Sequence, residues 1–193
     1  MNEKNERSAT INVNGTDYEL VLTNRATKEI AARYGGLENL GNKLMKSENF
    51  EDAIGEIVWL ITLLANQGVM INNIKNPKSK KDLLTEETLE LFTTPSDLVD
   101  FKDAIMEAMT KGTKRDIESE EPISKKRGDR VKDDEFFTRL LYFGTAHLNR
   151  TEDEVWLMTI GLLLDLIECH KQYYGISKPK KVGYIDDIIP FGI

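Results

Sequence analysis

Two imidazoles, one thiol and a pair of neighbouring carboxylates are the groups in this 193-residue chain best suited to chemistry: His147, His170, Cys169, and Asp186 with Asp187. A thiol beside an imidazole is the material of a nucleophile and its base, and histidines with carboxylates are the donor set of a divalent metal. Spacing argues against both. Cys169 and His170 are adjacent within a stretch of helical periodicity, so their side chains diverge. Neither histidine belongs to an HExxH pattern or a close Cys/His cluster, and Asp186 with Asp187 would need further ligands that the sequence does not identify. No glycine-rich phosphate loop is present. The expectation is therefore a noncatalytic protein with no catalytic residue, cofactor or metal site.

The cationic groups gather in two places, Lys78, Lys80 and Lys81, and Lys125, Lys126 and Arg127. Each reads as a solvated segment. The chain carries a net charge of -7, which disfavours affinity built on phosphate neutralisation, and no helical stretch has the basic face of a recognition helix. No nucleic acid is expected as a partner. A helical regulatory or nucleic-acid-binding protein of a mobile element is the runner-up reading. The single cysteine excludes an intramolecular disulfide framework, and the opening MNEKNERSAT lacks the apolar run of a signal peptide, so the expected compartment is the cytoplasm.

The elements that must position any site are mainly helical. The stretch 50–68, FEDAIGEIVWLITLLANQG, repeats Ile54, Ile57, Val58, Ile61, Leu64 and Ala65 at helical spacing and predicts a central helix capped at Gly68. Before it, residues 1–8 read as a disordered leader. The alternation of Ile11 and Val13 with Asn12 and Asn14, then Tyr18, Leu20 and Leu22, predicts a β-hairpin turning at Asn14 and Gly15. Thr23 or Asn24 caps a helix ending at Gly35 and Gly36, and a short helical segment follows from Leu37. Residues 69–82 read as a polar loop, Thr85 as the cap of a short helix, and Thr94 with Pro95 as the start of another closing at Gly112.

Residues 113–133 carry charges of both signs with few apolar groups and predict a flexible linker. Beyond it lies a helical module, 134–175. Its first helix ends near Asn149. Thr151 and Glu154 form a capping box for a single long helix that continues through Cys169 and His170, too short and too interrupted at Asp165 to span a bilayer. This second helix carries more apolar residues than two helices can bury. Either the module packs on the domain at 9–112, or part of its surface awaits a partner. Residues 176–193 form an extended tail, unusually apolar at Tyr184, Ile185, Ile188, Ile189 and Phe191.

The stretches INVNGTDYELVLTNRATKEIAARYGGLENL, EIVWLITLLANQGV and LTEETLELFTTPSDLVDFKDAIMEAMTKG resemble the tail assembly chaperones of long-tailed bacteriophages and prophages of Gram-positive bacteria, over about 9–112. The second half resembles the extension these chaperones acquire by ribosomal frameshifting, chiefly in Trp156, Met158 and Thr159, although Ile160 stands where the family often has proline. The resemblance implies a self-associating chaperone of the host cytoplasm, absent from the finished virion. It would coat the tape measure protein and recruit the major tail protein. The expected partner-binding residues are Trp156, Leu157, Met158, Leu163, Tyr184, Ile185, Asp186, Asp187 and Ile188, with no membrane partner.

Overall fold

A computed structural model describes residues 6–37, 39–41, 50–120 and 133–180. The fold is mainly helical, with one two-stranded antiparallel hairpin at its N-terminal end. Strands β1 (Ser8–Val13) and β2 (Thr16–Val21) pair in register from Ser8 opposite Val21 to Val13 opposite Thr16. Asn14 and Gly15 take φ of 50° and 76°, the left-handed pair that a tight hairpin turn demands. Ala9, Ile11 and Val13 point inward and Thr10 and Asn12 outward, the period-two alternation of a half-buried strand. Order begins earlier than the composition of residues 1–8 predicts. Ser8 is buried, and Arg7 is held by ion pairs to Asp116 at 2.5 Å and Asp165 at 2.9 Å.

Helix α1 (Asn24–Tyr34) starts at Thr23, whose hydroxyl accepts from the Ala26 N–H at 3.1 Å, and stops at Gly35 in the left-handed conformation. The Thr23 hydroxyl also donates to Gln67 Oε1 at 2.9 Å, fastening the start of α1 to the helix behind it. That helix, α2 (Phe50–Lys75), is the core of the first module. Ala53–Lys75 is long and apolar enough to cross a membrane, yet Ile57, Val58, Leu60, Ile61, Leu64 and Ala65 are enclosed by the hairpin, α1 and the later helices.

Gly68 does not end α2. The helix runs on for two turns through residues expected to be loop, and glycine stands there because the hairpin lies so close. A Cβ at this position would sit 2.1 Å from the Glu19 carbonyl oxygen. The loop after α2 is clasped by side-chain amides that imitate a backbone partner. Asn66 donates to and accepts from Leu84 at 2.9 and 2.8 Å, and Asn73 does the same with Lys81 at 2.9 and 2.8 Å.

Helix α3 (Glu86–Phe92) is capped by Thr85, and α4 (Asp97–Thr113) begins after a turn. The start expected at Pro95 is thus displaced to Asp97, whose carboxylate accepts from the Thr94 N–H at 2.7 Å. That bond and a second from the Thr94 hydroxyl hold the Asp97 carboxyl below its ordinary value. The short segment after α1 is seen at Leu37 and at 39–41, with Leu40 buried; residues 42–49 lie outside the described residues.

In the second module α5 (Asp133–Ala146) packs against α6 (Glu152–Leu157) and α7 (Ile160–Tyr173). The single long helix expected after Thr151 is broken in two. Met158 and Thr159 are extended, with ψ of 145° and 149°. The break frees backbone groups for the first module: the Asn24 N–H donates to the Met158 carbonyl at 2.8 Å, and Thr23 and Thr159 form an antiparallel bridge. Asn24 Nδ2 donates to the Val155 carbonyl at 2.8 Å in a buried position. The second core cluster accordingly includes Ala31 of α1 beside Phe137, Leu140, Val155, Ile160 and Leu163. Of the two outcomes left open by the apolar excess of this module, packing on the first module is the one observed.

Candidate functional site

Between the two modules lies a cleft of about 1230 Å³. Its apolar surface comes from Val21 at the end of the hairpin, Ile71 and Ile74 on the last turns of α2, Leu157 and Met158 at the helix break, and Leu162 on α7. Around these stand Arg7, Lys75 and Lys114 with Glu6, Asp116, Asp153 and Glu154, so the rim offers both signs of charge. Ile74 is 64% exposed and Leu162 37%, which makes them the open part of the apolar surface.

One wall is held in place by Asp165. Its carboxylate accepts from Arg115 Nε at 2.7 Å, from Arg7 at 2.9 Å, and from the backbone N–H groups of Asp116 and Ile117 at 3.0 and 3.2 Å. Burial alone would raise the carboxyl, but these donors outweigh it and hold Asp165 below its ordinary value. Residues 113–117, expected to belong to a free linker, are therefore fixed along α7. Gly161 marks how tightly: a Cβ there would lie 2.2 Å from the Lys114 carbonyl oxygen. On the surface of the same wall, Lys114 pairs with Asp116 at 2.8 Å, raising the lysine and lowering the carboxylate. Residues 121–132 lie outside the described residues.

The structure separates the partner-binding residues named from sequence into three groups. Leu157 and Met158 do line the cleft. Trp156 does not; its indole N–H donates to Glu152 at 3.1 Å, its ring lies 6.4 Å from Phe137, and the Lys28 ammonium sits 5.4 Å from its centroid, so it packs toward α1. Leu163 is fully buried in the second core and offers no contact surface, a correction that follows from α7 turning this face onto α5 and α6. Tyr184, Ile185, Asp186, Asp187 and Ile188 lie outside the described residues. Sequence reasoning missed Ile71, Ile74 and Lys75 by ending α2 at Gly68. The signal was the continued helical spacing of Leu64, Ile71 and Ile74.

His147 and His170 meet, with ring centroids 5.4 Å apart, but as part of an aromatic cluster with Phe143 at 4.8 and 5.0 Å. Among the described residues no group of three or more His, Cys, Asp or Glu side chains is placed to hold a metal ion. Cys169 is exposed on the outer side of α7. The arrangement suits the burial of a protein segment against apolar side chains, with charged groups at the edges to orient it.

Compared with known proteins, the chain matches no family model, no curated protein and no solved structure.

Proposed function

We propose that the chain is a noncatalytic tail assembly chaperone of a long-tailed phage or prophage. It works in the host cytoplasm, holds the tape measure protein, recruits the major tail protein, and is left out of the finished virion. The observation that carries the reading is the cleft itself. At about 1230 Å³ it exceeds the usual range of small-molecule pockets and is open, apolar and charge-rimmed, as a site for a peptide segment would be. A chaperone needs such a surface to shield a client that would otherwise associate with itself.

The resemblance of 9–112 and of the Trp156–Met158–Thr159 region supports the same reading. Ile160, the departure from the family pattern, stands at the first position of α7 after a capping Thr159. Proline is favoured at that position because its missing N–H would have no helical partner, so the local conformation suits either residue. In this proposal Leu157 and Met158, together with Tyr184, Ile185, Asp186, Asp187 and Ile188 of the tail, contact the major tail protein. Trp156 supports them by fixing α6 on α1.

The test is capture of major tail protein by the purified chain. Ile74→Asp and Leu162→Asp place a charge on exposed cleft positions, so the fold is spared while capture falls at least tenfold. Tyr142→Asp, at a 64% exposed position on α5 outside the cleft, leaves capture unchanged. Full capture by both cleft variants, folded by circular dichroism, would remove the cleft from the function.

A further inference from the structure

The cleft has a candidate occupant within its own chain. The last described residues run antiparallel to 118–120. Ser119 bridges Pro179, the Glu120 N–H donates to the Lys178 carbonyl at 2.9 Å, and the Lys180 N–H donates to the Glu118 carbonyl at 3.2 Å. The Lys180 ammonium also pairs with the Glu118 carboxylate at 2.5 Å. Antiparallel pairing fixes direction: a chain leaving Lys180 heads back toward Asp116 and Lys114, which are both residues of the cleft wall. Two strand steps, roughly 7 Å, separate Glu118 from Asp116. The Asp116 N–H, the donor that a continued ladder would use opposite residue 182, is instead engaged by Asp165 at 3.0 Å.

The segment after Lys180 has the composition to fill the site. Residues 181–193 read KVGYIDDIIPFGI, with Tyr184, Ile185, Ile188, Ile189, Phe191 and Ile193 around two aspartates. Fully extended, a segment of this length reaches roughly 45 Å, several times the distance to the wall. The rim carries carboxylates as well as cations, and Lys75, at the last turn of α2, has no carboxylate partner among the described residues, which makes it the cation open to Asp186 and Asp187.

We propose that residues 181–193 dock in the cleft of their own chain when no client is bound, with Tyr184, Ile185 and Ile188 on its apolar surface and Asp186 and Asp187 toward Lys75. The tether makes the docking intramolecular, so even weak contacts suffice, since the effective concentration of a short linked segment is in the millimolar range. This deepens the reading of the cleft as the capture site: client and tail exclude one another, and the tail guards the apolar surface until a client displaces it.

The experiment uses the full chain. Cys169, the single cysteine, is replaced by serine, and Ile74→Cys is combined with Ile188→Cys. A control chain carries Leu91→Cys with Ile188→Cys. Ile74 and Leu91 are both largely exposed, so neither change disturbs the core. The disulfide is formed in a glutathione buffer without any client. The expected result is an intramolecular link in the cleft pair at least tenfold faster than in the control and independent of dilution. Leu162→Cys in place of Ile74→Cys gives the same result from the α7 side of the cleft. A cleft pair that links no faster than the control, or links only between molecules, overturns the proposal. Since no client is present, loss of client binding leaves the inference standing, and absence of the link beside intact capture removes self-docking alone.

Discussion

The backbone N–H of Asn24 donates to the carbonyl of Met158 at 2.8 Å, so the first residue of α1 closes the break between α6 and α7. The Asn24 side chain repeats the contact one turn earlier, on Val155, from a position 1% exposed. Asn24→Ala strands the Val155 carbonyl in a buried seam, a loss of about 2 kcal/mol. At the scaling expected for a chain of this size, the melting temperature falls by about 6 °C. Thermal unfolding by circular dichroism checks it, and a shift below about 1 °C on the same scaling would mean that the seam does not couple the modules.

Asp165 gives the seam an acid limit. Its folded carboxyl lies below its ordinary value, and the unfolded group titrates near 3.9. A lowered folded value contributes stability that is complete above the unfolded value and is lost as pH falls through the folded one. The contribution is therefore complete at neutral pH, starts to fall as pH drops toward about 4, and is gone only below the folded value. Asp165→Asn lowers stability at pH 7 by about 1.5–3 kcal/mol, because Arg7 and Arg115 lose their shared carboxylate, and it flattens the acid branch of the stability curve. Urea titrations at pH 7 and pH 3 check both parts. An equal loss at the two values would show that the side-chain charge plays no part.

The seam also predicts the outcome of a cut between the modules. Trypsin acting at Lys125, Lys126 or Arg127 leaves fragments still joined by Thr23 with Thr159, by Asn24, and by Arg7 with Asp165. The two fragments co-elute in size exclusion and separate only in denaturant. Separation under native conditions would make the modules independent bodies.

Much of the frame was legible in the sequence because local chemistry dictated it. Asn14 with Gly15 marked the turn, Thr23, Thr85 and Thr151 marked caps, and Glu154 completed a capping box that the structure contains. The features that were not legible depended on neighbours distant in the chain. Gly68 looks like a stop signal until Glu19 is beside it. Met158 and Thr159 look helical until Asn24 and Thr23 supply outside partners for their backbones. The cleft inherited both errors, since Ile71, Ile74 and Lys75 were read as loop, and Leu163 was assigned to a surface that tertiary packing closed.

Apolar groups outside the cleft bear on assembly. Leu91 and Phe92 at the end of α3 and Val99 near the start of α4 are 76%, 45% and 64% exposed. The expected self-association draws on them, so the mass by light scattering rises with concentration, and Leu91→Glu with Val99→Glu shifts that rise to concentrations at least fivefold higher. A wild-type chain that stays monomeric at the highest attainable concentration would contradict the expected self-association.

Two glycines on α2 provide a paired test of the packing argument. A Cβ added at Gly55 would meet nothing within 4 Å, so Gly55→Ala feels only the helix-propensity difference, a gain of about 0.5–1 kcal/mol. Gly68 has the same propensity difference, but its added methyl would lie 2.1 Å from the Glu19 carbonyl oxygen and 3.1 Å from the carbonyl carbon. Backbone cannot rotate away as a flexible side chain can. Either β2 moves off α2, opening the core at Leu20 and Leu22, or the helix bends, and each response costs more than propensity returns. Gly68→Ala is therefore destabilising by about 2–3 kcal/mol, within the range for overpacking a well-filled interior. Urea denaturation of the two variants side by side should show opposite signs. A stabilised Gly68→Ala would show that the hairpin does not press on α2, and with it would fall the reason given for a glycine in the middle of the central helix.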